Sequence, residues 1–159
     1  VIVGLTSVAA LASGCAPTAS RPPCLVVPAA DTTPPSAHLV VEYRTPGGER
    51  TTLGVDPGSP NVTIEADVRD RIVTIYSGSD DQGVRSISLQ YDQRVTEGRT
   101  QVQPLISPFK VTTECPLSHL LSSRVFEPSG RPWRYAFVAV AHNWKGDSTK
   151  SGILRVVTR

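Results

Sequence analysis

The last two dozen residues constrain this chain most. Over 135–141, Tyr135, Phe137, Ala139 and Ala141 fall on one face of an extended strand and Ala136, Val138 and Val140 on the other. Both faces are apolar, which places the strand in the middle of a sheet rather than at its rim. A polar run follows, Ala141-His142-Asn143-Trp144-Lys145-Gly146-Asp147-Ser148, and 152–158 then alternates again, with Leu154 and Val156 inward and Arg155 toward water. Gly146 tolerates positive φ, while Asn143 and Asp147 can bond nearby backbone amides and hold the bend. Pattern and turn chemistry together predict a closing β-hairpin.

The same two-residue period recurs upstream. It predicts strands over 37–44, 50–55, 62–66, 71–77, 84–92 and 109–115, the first two separated by Thr45-Pro46-Gly47-Gly48 and the next break made by Asp56-Pro57-Gly58-Ser59-Pro60. Residues 94–103 are polar and read as a loop or edge strand. Leu117, Leu120 and Leu121 stand at helical spacing, so one or two helical turns are expected over 116–123. With 14 Pro and 12 Gly in 159 residues there is room for many turns and few long helices. The expected fold is all-β, an antiparallel sandwich of seven to eight strands over 37–159, preceded by an extended or disordered N-terminal segment.

Three stretches resemble bacterial immunoglobulin-like and fibronectin-type-III-like domains. Residues 139–151, Ala-Val-Ala-His-Asn-Trp-Lys-Gly-Asp-Ser-Thr-Lys-Ser, are similar to the closing Ala-x-Asp-x-x-Gly-Asn run of those domains, with Asn143 in place of Asp and Asp147 in place of Asn. Asp31-Thr32-Thr33-Pro34-Pro35 resembles their opening, and Ser79-Asp80-Asp81-Gln82-Gly83-Val84 their first turn between sheets. The resemblance implies an immunoglobulin-like sandwich.

The beginning of the chain carries a second resemblance. Residues 1–14 are uncharged, apolar and rich in small residues, as in the hydrophobic part of a secretory signal, and are too short to span a bilayer. They end in Leu11-Ala12-Ser13-Gly14-Cys15, which resembles the lipobox of bacterial lipoproteins, with Ala12 where Leu is usual. That resemblance implies lipidation of Cys15, anchorage to the outside of the bacterial cell membrane, and a proline-rich linker over 15–36 that lifts the folded domain off the surface. An uncleaved hydrophobic first strand and a signal without lipid remain as alternatives. If Cys15 is lipidated, Cys24 and Cys115 remain as an even pair that an oxidising compartment allows to join. The competing reading makes Cys115 a small buried hydrophobe beside Phe109, Val111 and Thr113.

Composition limits function further. Sixteen basic and 14 acidic residues are interleaved, for a net charge of +2, so no concentrated basic surface for nucleic acid is expected. Ser107-Pro108-Phe109-Lys110 satisfies a Ser-x-x-Lys pattern but sits in a β pattern, where a helix would be needed to bring Lys beside Ser. His38, His119 and His142 lie on different elements, and Asp67, Asp70, Asp80 and Asp81 complete no calcium-binding set, so no catalytic group, metal or cofactor is expected. Trp144, flanked by His142 and Lys145 at the hairpin tip, is the candidate ligand contact, with a Trp folded back over the end of the domain as the alternative. Trp133 is expected to cover the core edge. These readings converge on a non-enzymatic binding or structural module with a protein or cell-envelope glycan as partner. The runner-up is a carbohydrate-binding or accessory module of an envelope enzyme system, in which both tryptophans stack on sugar rings.

Overall fold

The computed structural model describes residues 24, 33–95 and 106–159. The expected leader over 1–14, the lipidation candidate Cys15, most of the linker and the polar residues 96–105 lie outside the described residues. Among the described residues there is no helix. Eight strands form: β1 (Ser36–Arg44), β2 (Arg50–Val55), β3 (Val62–Ala66), β4 (Ile72–Val95), β5 (Ile106–Phe126), β6 (Trp133–Asn143), β7 (Ser148–Lys150) and β8 (Leu154–Thr158). They make one mixed sheet in the order β2-β1-β4-β6-β8-β3, with β5 added to β4 and β7 to β6. The sheet bends around a single core into a nearly closed barrel, where the sequence predicted two purely antiparallel layers. One pairing, β3 with β8, is parallel.

The departures trace to β4 and β5, which the local pattern had split into shorter pieces. β4 pairs along one edge with β5 for nearly its whole length. Its other edge is shared: residues 73–79 pair with β1 and residues 84–95 with β6. The long hairpin therefore belongs to two halves of the sheet at once. Ser79 to Val84, expected as a turn between sheets, is instead an irregularity inside a continuous strand. Asp80 Oδ1 accepts the backbone amides of Gln82 and Gly83 at 3.0 and 2.9 Å, so the chain bends there with its backbone donors satisfied.

The bend also exchanges the two faces of the strand. Before it, Ile72, Thr74, Tyr76 and Gly78 point into the core; after it, Ile87 and Leu89 do. β5 switches in the same place, from Phe109 and Val111 inward to Leu120 and Phe126 inward. This is why helical turns over 116–123 do not form. In a strand Leu117 and Leu121 point away from Leu120, and the edge of β4 offers backbone partners, pairing Gly78 with Leu120 and Ser77 with Leu121. Residues 94 and 95 extend β4, at the start of the stretch expected as a loop or edge strand.

One core unites both halves. Ala37, Leu39 and Val41 of β1, Ile72 and Tyr76 of β4, Phe137, Ala139 and Ala141 of β6, and Leu154 and Val156 of β8 are all buried in it. Phe126, on the later half of β5, reaches the other half of the sheet, with ring centroids 5.2 Å from Tyr91, 6.2 Å from Phe109 and 4.9 Å from Phe137. Arg124 stands over the Phe109 ring at 4.4 Å. Cys24 is joined to Cys115 by a disulfide, with Cα atoms 5.0 Å apart and a sequence separation of 91. The linker is thus tied to β5 one residue before Pro116.

Gly83 sets how closely the hairpin folds. Its φ is +114°, and a Cβ there would fall on Cβ of Pro116 and 3.0 Å from that residue's Cα. Gly83→Ala combines a left-handed conformation with a backbone clash, and we expect it to lower stability by about 2–4 kcal/mol in urea denaturation. A loss below about 0.5 kcal/mol, typical of indifferent surface positions, would mean that the bend does not depend on this contact.

Candidate binding face

The outward face of β6 collects the groups best placed for recognition. Its register sets Ala136 between Asp92 of β4 and Arg155 of β8, and Val140 between Ser88 of β4 and Lys150 of β7. Ser88 is in turn opposite Lys110 of β5, while Ser86 lies between Thr112 and His142. Ala136, Val138 and Val140 therefore form an apolar spine with cations on both sides: Arg155 and Lys150 along one, Lys110 along the other, with Arg134 at one end and Arg85 at the other. All five cations are exposed. Asp92 lies within this face, and Glu114 falls at an outward position of β5 beyond Thr112.

Small side chains give the face its relief. Around Ala136 and Val138 there is a concavity of about 620 Å³, bordered by Thr63, Asp92, Arg134, Ile153, Arg155 and Val157. Ala136 and Val138 remain half-buried. Among the described residues, the apolar second face of β6, which predicted cover on both sides, is flanked by the strands that carry Lys110, Lys150 and Arg155. Arg and Lys stems can shield such a spine while their charged ends stay in water. Across the face Ser86 and Ser88 are buried, 3% and 5% exposed, and add no bulk.

The hairpin tip is built differently from the expected contact site. Asn143 is fully buried, and its Oδ1 accepts the amides of Gly146 and Asp147 at 3.0 and 2.9 Å. Its Nδ2 donates to the carbonyl of Thr33 at 3.3 Å, tying the tip to the start of the folded domain. Trp144 is half-buried and folds back, donating Nε1–H to the carbonyl of Val84 at 3.2 Å, with the Arg85 guanidinium 5.7 Å from its ring. Lys145 is exposed at the tip. Of the three residues singled out there, His142 points onto the outward face of β6. Trp133 sits at the opposite end of the same strand, against the core, and donates Nε1–H to Pro128 O at 3.2 Å. The two tryptophans bracket an 11-residue strand, roughly 35 Å at the usual rise, too far apart for one sugar-stacking platform.

The remaining sequence candidates are dispersed. His38 Nδ1 lies 2.7 Å from Asp56 Oδ1, while His119 and His142 are on β5 and β6. Asp70 accepts Arg44 Nε at 2.9 Å near one end of β1, while Asp80 and Asp81 lie near the other, where Thr33 donates to Asp81 Oδ1. The Ser107 to Lys110 run lies on β5 rather than on a helix. The cations Arg134, Arg155, Lys110 and Lys150 had no local signal beyond alternation; β7 and β8 had to be placed beside β6, and β5 beyond β4, before they shared one face. No protein-family model matches this sequence, and no curated protein matches it.

Electrostatics of the face are visible in His142. Burial, followed by the positive charges of Lys110 and Arg85, holds its pKa below 6.5. The unfolded chain therefore binds the proton more readily, so the contribution of His142 is fully present above about pH 6.5 and is lost as pH falls through its lowered folded value. Asp70 acts in a separate, more acidic window: the Arg44 hydrogen bond lowers its pKa from 3.8, so its contribution is lost only on further acidification. Thermal melts between pH 7.5 and 5 should show a falling midpoint, and His142→Gln should flatten that slope. An unchanged slope in the variant would remove His142 as its origin.

Proposed function

We propose that this chain is a lipid-anchored, extracytoplasmic binding module of the bacterial cell envelope, with an immunoglobulin-like fold and no catalytic role of its own. The face along β6 carries this reading: an apolar spine with a concavity of about 620 Å³, flanked by Lys110, Arg134, Lys150 and Arg155, is suited to an extended ligand that brings negative charge and small apolar groups. An acidic protein segment fits this chemistry. Its carboxylates can meet the guanidinium forks while its apolar side chains lie over Ala136 and Val138. A glycan is the second class of ligand, but Trp133 and Trp144 occupy opposite ends of β6 and do not supply a shared stacking surface.

The setting is supported by cysteine usage. Cys24 bonded to Cys115 suits an oxidising compartment, and it leaves Cys15, in its lipobox-like context, for acylation. Two or more acyl chains hold a protein stably at a bilayer, each buried methylene adding about 0.8 kcal/mol. The membrane, and a protein segment at the β6 face, are thus the proposed partners.

Two experiments test this reading. Reversing both charges with Arg134→Glu and Arg155→Glu should weaken capture of envelope proteins by the intact chain by about 100-fold, or roughly 3 kcal/mol at 1.4 kcal/mol per tenfold, while leaving the thermal midpoint unchanged. Capture that survives, or that moves to purified envelope glycan, would refute the protein-ligand reading. Separately, Cys15→Ser should abolish fatty-acid labelling and release the protein from the membrane fraction; an unchanged fraction would refute the lipid anchor.

A further inference from the structure

The later half of β5 is an edge built differently from the other edges of the sheet. Among the described residues β5 pairs only with β4. Leu117, Leu121 and Val125, at 46%, 61% and 52% exposure, are the exposed large hydrophobic residues of the described chain, and all three lie on this one strand. Their spacing of four puts them on its outward face. Edge strands ordinarily carry charges that deter pairing. On β3, Glu65 faces outward and is bridged to Arg159 at 2.9 Å, and β2 begins with Arg50. Between Pro116 and Ser123 the β5 edge has no Lys, Arg, Asp or Glu.

We propose that this edge pairs with the same edge of a second copy, giving a two-fold dimer in which the β5 strands run antiparallel about Leu121. The pattern is self-complementary. Centred on Leu121, the register sets each Leu117 opposite Val125 of the second copy and the two Leu121 side chains opposite each other, all on one face. It pairs Pro116 with Phe126, so it occupies the whole stretch between the bend and the end of the strand. His119 then faces Ser123 and Arg124 faces Ser118, so like charges do not oppose one another. Moving the centre to His119 would set the two histidines against each other and carry Val125 across the bend to Thr113.

The interface also has adequate size. A ladder from Pro116 to Phe126 is about 37 Å long at the antiparallel rise. With the side chains on both faces it would bury on the order of 1,000 Å² in total, near the lower bound for a specific interface. The outward face of the joined sheet continues from Leu121 and Val125 onto Val73 and Ile75 of β4 and Val40 of β1, which the register places in adjacent rows. Two such faces side by side join these hydrophobic residues, with Ser77 and Ser123 among them, into one continuous surface, while the β6 faces remain outside the junction. Dimerisation would therefore present two copies of the binding face from one assembly and raise avidity for a repeated ligand.

Sedimentation velocity on the full chain in the tens of micromolar should show a dimer. Leu121→Arg, which places two guanidiniums at the two-fold, should yield a monomer, raising the dimer Kd at least about 100-fold, with strand content by circular dichroism retained because Leu121 is 61% exposed in the single chain. Register is tested by a pair: Leu117→Glu alone should weaken the dimer, and adding Val125→Lys should restore it by opposing unlike charges. A monomeric wild-type chain, a Leu121→Arg dimer, or failure of the second substitution to rescue the first would each overturn the proposal. So would a monomer that uses Leu121 to capture a different protein.

Discussion

The structure depends on one close approach, that of Gly83 to Pro116 where the β4–β5 hairpin bends. No side chain larger than hydrogen fits at Gly83 without striking the proline, and its positive φ excludes most other residues as well. Because both strands bend together, the hairpin stays paired while it passes from the β1 side of the sheet to the β6 side. The exchange of inward and outward residues at the bend lets one continuous ribbon line the core on both sides. Phe126 then meets Tyr91, Phe109 and Phe137, so later β5 packs against the strands on the far side of the bend.

From this bend follows the position of everything with a proposed role. β6 has an outward face because it lies along the second half of β4, and Lys110 reaches that face because the first half of β5 lies on the other side of β4. The outward hydrophobic residues of β5 exist because its later half reverses parity after Pro116. Cys115 stands immediately before the bend, so its bond to Cys24 fixes the linker at the point where the two halves of the sheet diverge. Gly78, facing Ala141 and Ile87 so closely that a Cβ would come within 2.7 and 2.9 Å of them, keeps the first half of β4 tight against β6.

Much of the fold was legible where a strand is short and one face is buried. Strands β1, β2 and β3 match the expected segments nearly to the residue because Leu39, Val41, Val55 and Ala66 are buried and alternate with half-buried positions in β1 and exposed ones in β2 and β3. The hairpin turn was legible through Asn143, whose side chain bonds the amides of residues 146 and 147. Leu117, Leu120 and Leu121 misled because three apolar residues at helical spacing look alike whether they share a helix face or straddle a strand. Trp144 was legible as the aromatic of the tip, but its contact with Val84 depends on β4, sixty residues earlier.

What the sequence determined by itself was local: the two-residue period, the turns at proline, glycine and asparagine, and hence an all-β chain. These follow from interactions among residues a few positions apart, which the order of amino acids states directly. Only the tertiary structure decided that β4 and β5 are single bent strands, that β3 and β8 run parallel, and that cations from four strands converge over Ala136, Val138 and Val140. Each of these depends on which backbone edge finds which partner across long loops, and alternation is the same on either edge of a strand.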